Sequence, residues 1–146
     1  MCALRTCRDG TMEEVLLSRT GKVPLKFLGE RVAYANGLDI KGDWDKRWHE
    51  IAIYRTQKGR WVVSINYRAN EKYRKEPPYD RVEVFDDPDA LAQFLEDYNS
   101  TLNMLGYPPK PQYEEYQRQE FIKTKNQWGT LVADVLRQAG ISESID

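Results

Sequence analysis

Residues 47–68 contain the feature that most limits what this chain can fold into. Two alternating runs, RWHEIAIYRT and RWVVSINYR, are separated by only three residues, Gln57, Lys58 and Gly59. Alternation on both sides of a short glycine-containing loop is typical of a β-hairpin. The loop suits a type I turn followed by a left-handed residue, a conformation that Gly59 adopts without steric cost.

The length of this loop also predicts the register of the two strands. Four opposing pairs follow from it: Arg55 with Trp61, Ile53 with Val63, Ile51 with Ile65, and His49 with Tyr67. Because side chains alternate along a strand, the isoleucines and valines of these pairs share one face, which is the predicted core. The opposite face carries the other side chains of the two strands: Trp48, Glu50, Ala52, Tyr54, Arg60, Val62, Ser64, Asn66 and Arg68.

The segments before the hairpin predict further strands. Residues 22–28 and 31–35 are two predicted strands joined by a turn at residues 29–30, and Val32 and Tyr34 are expected to face the core. Residues 12–19 fit either a strand or a short helix.

The segments after the hairpin predict a last strand and then helices. Residues 81–85 form the strand, with Val82 and Val84 expected to face the core. Asp87 is a suitable helix N-cap and Pro88 a suitable first helical residue. The helical spacing continues to Leu102, and Gly106 is its expected end.

A final helical pattern covers residues 113–139, as one long helix or as two with a bend at Gly129. The predicted fold class is therefore α+β. It consists of an antiparallel β-meander of four to five strands, followed by two or three C-terminal helices packed on the sheet.

Length and composition fit one domain. The 146 residues include 12% aromatic residues, which argues against disorder. Residues 1–12 lack periodicity and are predicted to be a disordered arm, and residues 13–146 a single α+β domain. Cys2 and Cys7 are the only cysteines, which favours a reduced, cytoplasmic setting over a disulfide scaffold. No apolar run is long enough to span a membrane.

Few residues suggest catalysis or metal binding. His49 is the only histidine, and its predicted place at the end of the core face favours a packing role. Asp39, Asp43 and Asp45 surround a glycine and could hold Ca²⁺ or Mg²⁺, but their spacing does not match an EF-hand loop. A solvated turn is the favoured interpretation. No catalytic residue, metal or cofactor is predicted, and a non-enzymatic function is favoured.

The strongest functional candidate is the hairpin face opposite the core. Aromatic rings, cations and an amide are combined there in Trp48, Tyr54, Arg60, Asn66 and Arg68. This mixture is typical of protein–protein hot spots and also of platforms for single-stranded nucleic acid. An ordinary sheet face, partly covered by the C-terminal helix, is the third interpretation.

Charge separates the first two interpretations. Residues 45–81 contain ten Lys and Arg against five Asp and Glu, but the whole chain has a net charge of −1 and a pI near 5.9. This balance argues against a dedicated nucleic-acid-binding protein. We predict a small protein-interaction module of accessory or inhibitor type, of bacterial or phage origin, that binds another protein and no membrane. A nucleic-acid-binding domain that uses the basic hairpin face is the alternative, and homo-oligomerisation is left open.

Overall fold

The computed structural model describes residues 12–39, 47–70, 76–106 and 108–142. The predictions for the N-terminal arm and its two cysteines lie outside these residues. Five strands come first in the chain and two helices follow: β1 (Glu13–Arg19), β2 (Lys22–Asn36), β3 (Arg47–Thr56), β4 (Trp61–Ala69), β5 (Tyr79–Phe85), α1 (Pro88–Asp97) and α2 (Pro111–Gln138). The strands form one antiparallel sheet in chain order, with the helices packed against it. The predicted α+β meander is confirmed.

The hairpin of β3 and β4 has the predicted register. Arg55 pairs with Trp61 and His49 with Tyr67, and the pairs between them follow. Gly59 has a φ of +83° at the turn, as the loop type requires. The isoleucines and valines of the predicted core face are completely buried.

The turn predicted at residues 29–30 is wrong, because β2 runs through it as one strand of 15 residues. β2 pairs with β1 up to Gly29 and with β3 from Gly29 onward. A Cβ atom at this glycine would lie 2.6 Å from the carbonyl oxygen of Arg55. The glycine therefore permits close approach of two strands. In the sequence, such a glycine cannot be distinguished from one that marks a turn.

The inward direction predicted for Tyr34 is also wrong. The pairing of β2 with β3 shifts between Arg31 and Ala33, as at a β-bulge. After this shift Ala33 and Ala35 face the core, and Tyr34 faces the other side of the sheet. Val32, at the irregularity, is half-buried against the core, as predicted.

The face of β5 that packs against the helices is likewise not the one that was predicted. Val84 pairs with Val62 of β4, and Val82 lies two residues before it, so both valines face away from the helices. Phe85 and Arg81 face the helices instead, and both contact Phe94 of α1. The two valines are buried or half-buried on their own face, so hydrophobicity alone could not distinguish the two faces of this strand.

The sheet curls until its two outer strands meet. The backbone N–H of Thr20 donates to the carbonyl oxygen of Asp80 at 2.8 Å, and the backbone N–H of Asp80 donates to Thr20 Oγ1 at 2.8 Å. Near the β3–β4 turn, the ring of Phe27 lies edge-on to Tyr54 with centroids 5.7 Å apart. The result is a half-barrel with a concave inner face and a convex outer face.

The core lies between the convex face and the two helices. Asp87 caps α1 as predicted, its carboxylate accepting a backbone N–H bond in the first turn. The helix ends at Asp97, well before the expected end at Gly106. Beyond it, the side chain of Asn99 accepts hydrogen bonds from the backbone N–H and hydroxyl of Thr101, and this local turn competes with further helix.

α2 is one continuous helix, not two. Its buried residues include Trp128, Leu131 and Val135, and the Trp128 indole N–H donates to the carbonyl oxygen of Leu95 in α1 at 2.9 Å. Gly140 follows the helix with a φ of +72°, as expected of a C-terminal glycine. No helix among the described residues is both long and apolar enough to cross a membrane.

Candidate binding site on the concave face

The concave face of the half-barrel contains a cavity of about 360 Å³. This volume is near the lower end of the range for ligand pockets. Three of the five predicted site residues, Tyr54, Asn66 and Arg68, line it together. The charged and aromatic residues of the lining are two cations, two carboxylates and two tyrosines: Arg31, Arg68, Glu50, Asp80, Tyr34 and Tyr54.

Asp80 fixes one part of the cavity wall. Its Oδ1 accepts a hydrogen bond from Asn66 Nδ2 at 2.7 Å and lies 2.8 Å from Nη2 of Arg68. Nη1 of Arg68 donates to the carbonyl oxygen of Tyr67 at 2.8 Å. These contacts hold the guanidinium in one orientation while 35% of the Arg68 side chain stays exposed.

Tyr34 and Glu50 fix a second part of the wall. The Tyr34 hydroxyl donates to Glu50 Oε1 at 2.9 Å and accepts from Asn36 Nδ2 at 3.1 Å. Burial, and then the hydrogen bond and charge of Glu50, raise the pKa of Tyr34, so its hydroxyl stays protonated at neutral pH. The guanidinium carbon of Arg31 lies 4.6 Å from the centroid of the Tyr34 ring, within cation–π distance.

Two of the predicted site residues do not line the cavity. Arg60 is next to the hairpin turn, where its Nε donates to Asp86 Oδ1 at 2.7 Å. Trp48 pairs with Arg68 across the strands and is half-buried. Its indole N–H is buried and has no partner among the residues that the structure describes.

Four of the six charged and aromatic lining residues were missing from the predicted set. Glu50 was on the correct face by alternation, and its position two residues from Trp48 was an available signal. Tyr34 was assigned to the core because the irregularity in β2 leaves no clear mark in the sequence. Arg31 pairs with Tyr54 and Asp80 with Asn66, so both reach the cavity through the pairing of β2 with β3 and of β4 with β5, whose registers the sequence did not predict.

A second cluster of charged residues is buried between the strands and α2. Nε and Nη2 of Arg47 donate to the two carboxylate oxygens of Glu76 at 3.1 and 3.3 Å, and Nη1 donates to Glu120 Oε1 at 2.8 Å. The hydroxyl of Tyr67 and the backbone N–H of Leu105 also donate to Glu76. Residues far apart in the chain are joined here by charge-assisted hydrogen bonds.

These contacts keep Arg47, Glu76 and Tyr67 each in one protonation state. Burial opposes the charge on Arg47, but the hydrogen bond and charge of Glu76, with the hydrogen bond to Glu120, raise its pKa. Burial also opposes the charge on Glu76, but its hydrogen bonds from Arg47 and Tyr67 hold its pKa below the usual range. Burial and then Glu76 raise the pKa of Tyr67. The cluster therefore acts as a fixed cross-link of the fold at neutral pH.

The unfavoured alternative of a metal site at the three aspartates cannot be compared with this geometry. Asp43, Asp45 and the side chain of Asp39 lie outside the described residues, so Ca²⁺ or Mg²⁺ binding stays an unfavoured alternative. Within the part of the chain that the structure describes, no three His, Cys, Asp or Glu side chains are grouped to hold a metal ion.

Comparisons with protein-family models, curated proteins and solved structures found no match for this chain. Its function is therefore argued from the concave cavity itself. That cavity offers opposite charges and two neutral phenols in fixed positions, which suits recognition of a polar molecule that carries both charges.

Proposed function

We propose that this chain is a non-enzymatic protein-interaction module, of accessory or inhibitor type, that receives a polar segment of a partner protein in the concave cavity. One observation carries the proposal. The cavity presents two arginines, two carboxylates and two tyrosines, while the buried residues of both helices pack on the convex side of the sheet. Tyr and Arg, together with Trp, are enriched among the few residues that supply most of the binding energy at protein interfaces.

The fixed positions of these side chains support the proposal. Arg68 is held by Asp80, and Tyr34 is held by Glu50, before any partner arrives. A partner therefore loses less free energy in ordering these side chains on binding. With charges of both signs in one cavity, the partner segment is expected to carry a basic and an acidic side chain.

The nucleic-acid alternative has less support from the same contacts. Arg68 already pairs with Asp80, and Arg60 with Asp86. A nucleic-acid backbone carries only negative charge, so it offers no cation to the carboxylates of the cavity, and these carboxylates repel it. Nucleic-acid binding is therefore kept as an outcome that the experiment must distinguish.

Site-specific photo-crosslinking tests the proposal. The photoreactive amino acid p-benzoylphenylalanine is placed at Tyr54, in the cavity, in cells that produce the chain. The matched control places it at Tyr116, which is 45% exposed on α2. Irradiation is expected to give a defined protein adduct from position 54 and none of the same mass from position 116.

A charge variant completes the test. Arg68→Ala is expected to lower the yield of the adduct from position 54 about tenfold, because one charge-assisted hydrogen bond to the partner is lost. Arg118→Ala, which removes an exposed arginine from α2, is expected to leave the yield unchanged. The proposal fails if position 54 gives no adduct, or if nuclease treatment returns the adduct to nearly the mass of the free chain.

A further inference from the structure

The second half of β2 has one edge with which none of the described strands pairs. β1 pairs with β2 only as far as Gly29, whereas β3 pairs along the opposite edge as far as Asn36. Among the described residues, no strand pairs with the β1-side edge of β2 beyond Gly29. Such an edge presents backbone N–H and C=O groups that can pair with another chain.

A side chain occupies this edge where a strand would lie. The backbone N–H of Tyr34 donates to Gln138 Oε1 at 3.0 Å, and Gln138 Nε2 donates to the carbonyl oxygen of Tyr34 at 2.9 Å. A residue on a neighbouring antiparallel strand would exchange the same two hydrogen bonds with Tyr34. The amide of Gln138 thus takes the place of a peptide group.

This substitute is easy to displace. Both hydrogen bonds are exposed to solvent, and Gln138 lies in the last turn of α2. A released Gln138 amide can therefore bond to water, while an incoming peptide takes over its bonds to Tyr34.

A groove of about 620 Å³ lies beside this edge, between β2 and α2. Ala35 and Leu131, both buried, contribute to its lining, and Ala133 on α2 is exposed there. Asp134 and Arg137 add a charge of each sign. The small side chains leave room for another strand to approach the edge.

We propose that an extended segment of a partner polypeptide adds to this edge of β2 as an antiparallel strand, displacing Gln138. Its alternate side chains face the groove, where Ala35, Leu131 and Ala133 favour an apolar residue. In strand addition, main-chain hydrogen bonds give affinity and pockets for alternate side chains give specificity. A peptide is favoured as the occupant because the group it replaces is itself an amide that both donates and accepts. This site does not depend on the concave cavity.

The probe is a fluorescein-labelled, end-blocked peptide of sequence KTVTVTVK, and its binding to the full chain is measured by fluorescence anisotropy. Saturable binding is expected, and Gln138→Ala should bind the peptide about tenfold more tightly, because no side chain competes for the edge. The matched control is Gln119→Ala, which removes a glutamine of the same helix that bonds to Glu115. This variant should bind the peptide like the unaltered chain.

Two further measurements identify the mode of binding. With the valines in the groove, the threonines are the residues whose N–H groups face the edge of β2, so the same peptide N-methylated at its threonines cannot complete the main-chain hydrogen bonds and should not bind. Ala133→Trp fills the groove and should abolish binding, whereas Lys125→Trp, at another exposed position of α2, should not. The proposal is overturned if neither the unaltered chain nor Gln138→Ala binds the probe, or if the N-methylated peptide binds equally well.

Discussion

Protonation of His49 has an effect on stability that follows directly from its surroundings. The side chain is 1% exposed, and the rings of Tyr67 and Trp128 each lie 5.0 Å from the imidazole, centroid to centroid. Its Nδ1 is buried and finds no partner among the residues described. Burial therefore lowers the pKa of His49 from 6.5 to about 4.

The sign of the pH dependence follows from this pKa. Because the folded chain binds the proton less readily than the unfolded chain, the contribution of His49 to stability is fully present above pH 6.5. It is lost as the pH falls from 6.5 towards 4. The loss amounts to roughly 3 kcal/mol at the acid limit, and about 2 kcal/mol of it has occurred by pH 5.

The assay is urea unfolding followed by tryptophan fluorescence at pH 7.5 and pH 5, for the unaltered chain and for His49→Leu. Leucine has a similar volume and no charge. Glu76, whose pKa is lowered, loses its contribution only below its ordinary pKa of 4.5, so it does not interfere in this range. Between pH 7.5 and pH 5, the free energy of unfolding of the unaltered chain should fall by about 2 kcal/mol more than that of the variant. Equal losses would refute the reasoning.

Two further substitutions test how the fold is held together. Arg47→Met leaves two buried glutamates without their cation, so the free energy of unfolding in urea at pH 7.5 should fall by about 3–5 kcal/mol; a loss below about 1 kcal/mol would contradict the role of this cluster. Gly29→Ala brings a methyl group to 2.6 Å from the Arg55 carbonyl oxygen and should cost about 1–3 kcal/mol. Gly129→Ala, in open space on α2, is its control and should raise stability by about 1 kcal/mol; equal thermal shifts for both alanines would disprove the difference.

The hairpin could be predicted from sequence because two independent signals agree there. Alternation assigns side chains to faces, and the loop ending at Gly59 sets the register without reference to hydrophobicity. β2 lacked such agreement. The glycine at position 29 has the same appearance in a turn and in a close strand contact, and the shift after Arg31 reverses the faces of Ala33 and Tyr34.

The cavity and the buried cluster depend on contacts between distant parts of the chain. Asp80 joins the wall of the cavity by pairing with Asn66, 14 residues before it, and Arg47 bonds to Glu120, 73 residues after it. No local pattern of spacing records such pairs. Alternation along the hairpin predicted the face that carries three of the site residues, but it could not predict that the curled sheet encloses this face.

The contact between Thr20 and Asp80 also bears on how the folded chain behaves at high concentration. An open sheet leaves two outer edges that can recruit strands from other molecules, a route to aggregation. Here the turn that follows β1 bonds to the edge of β5 at this point, and Glu13 and Glu14 add repulsive charge farther along β1. The curl that encloses the cavity therefore also protects the two outer strands against pairing with other molecules, and a change that broke the contact between Thr20 and Asp80 would weaken both the cavity and this protection.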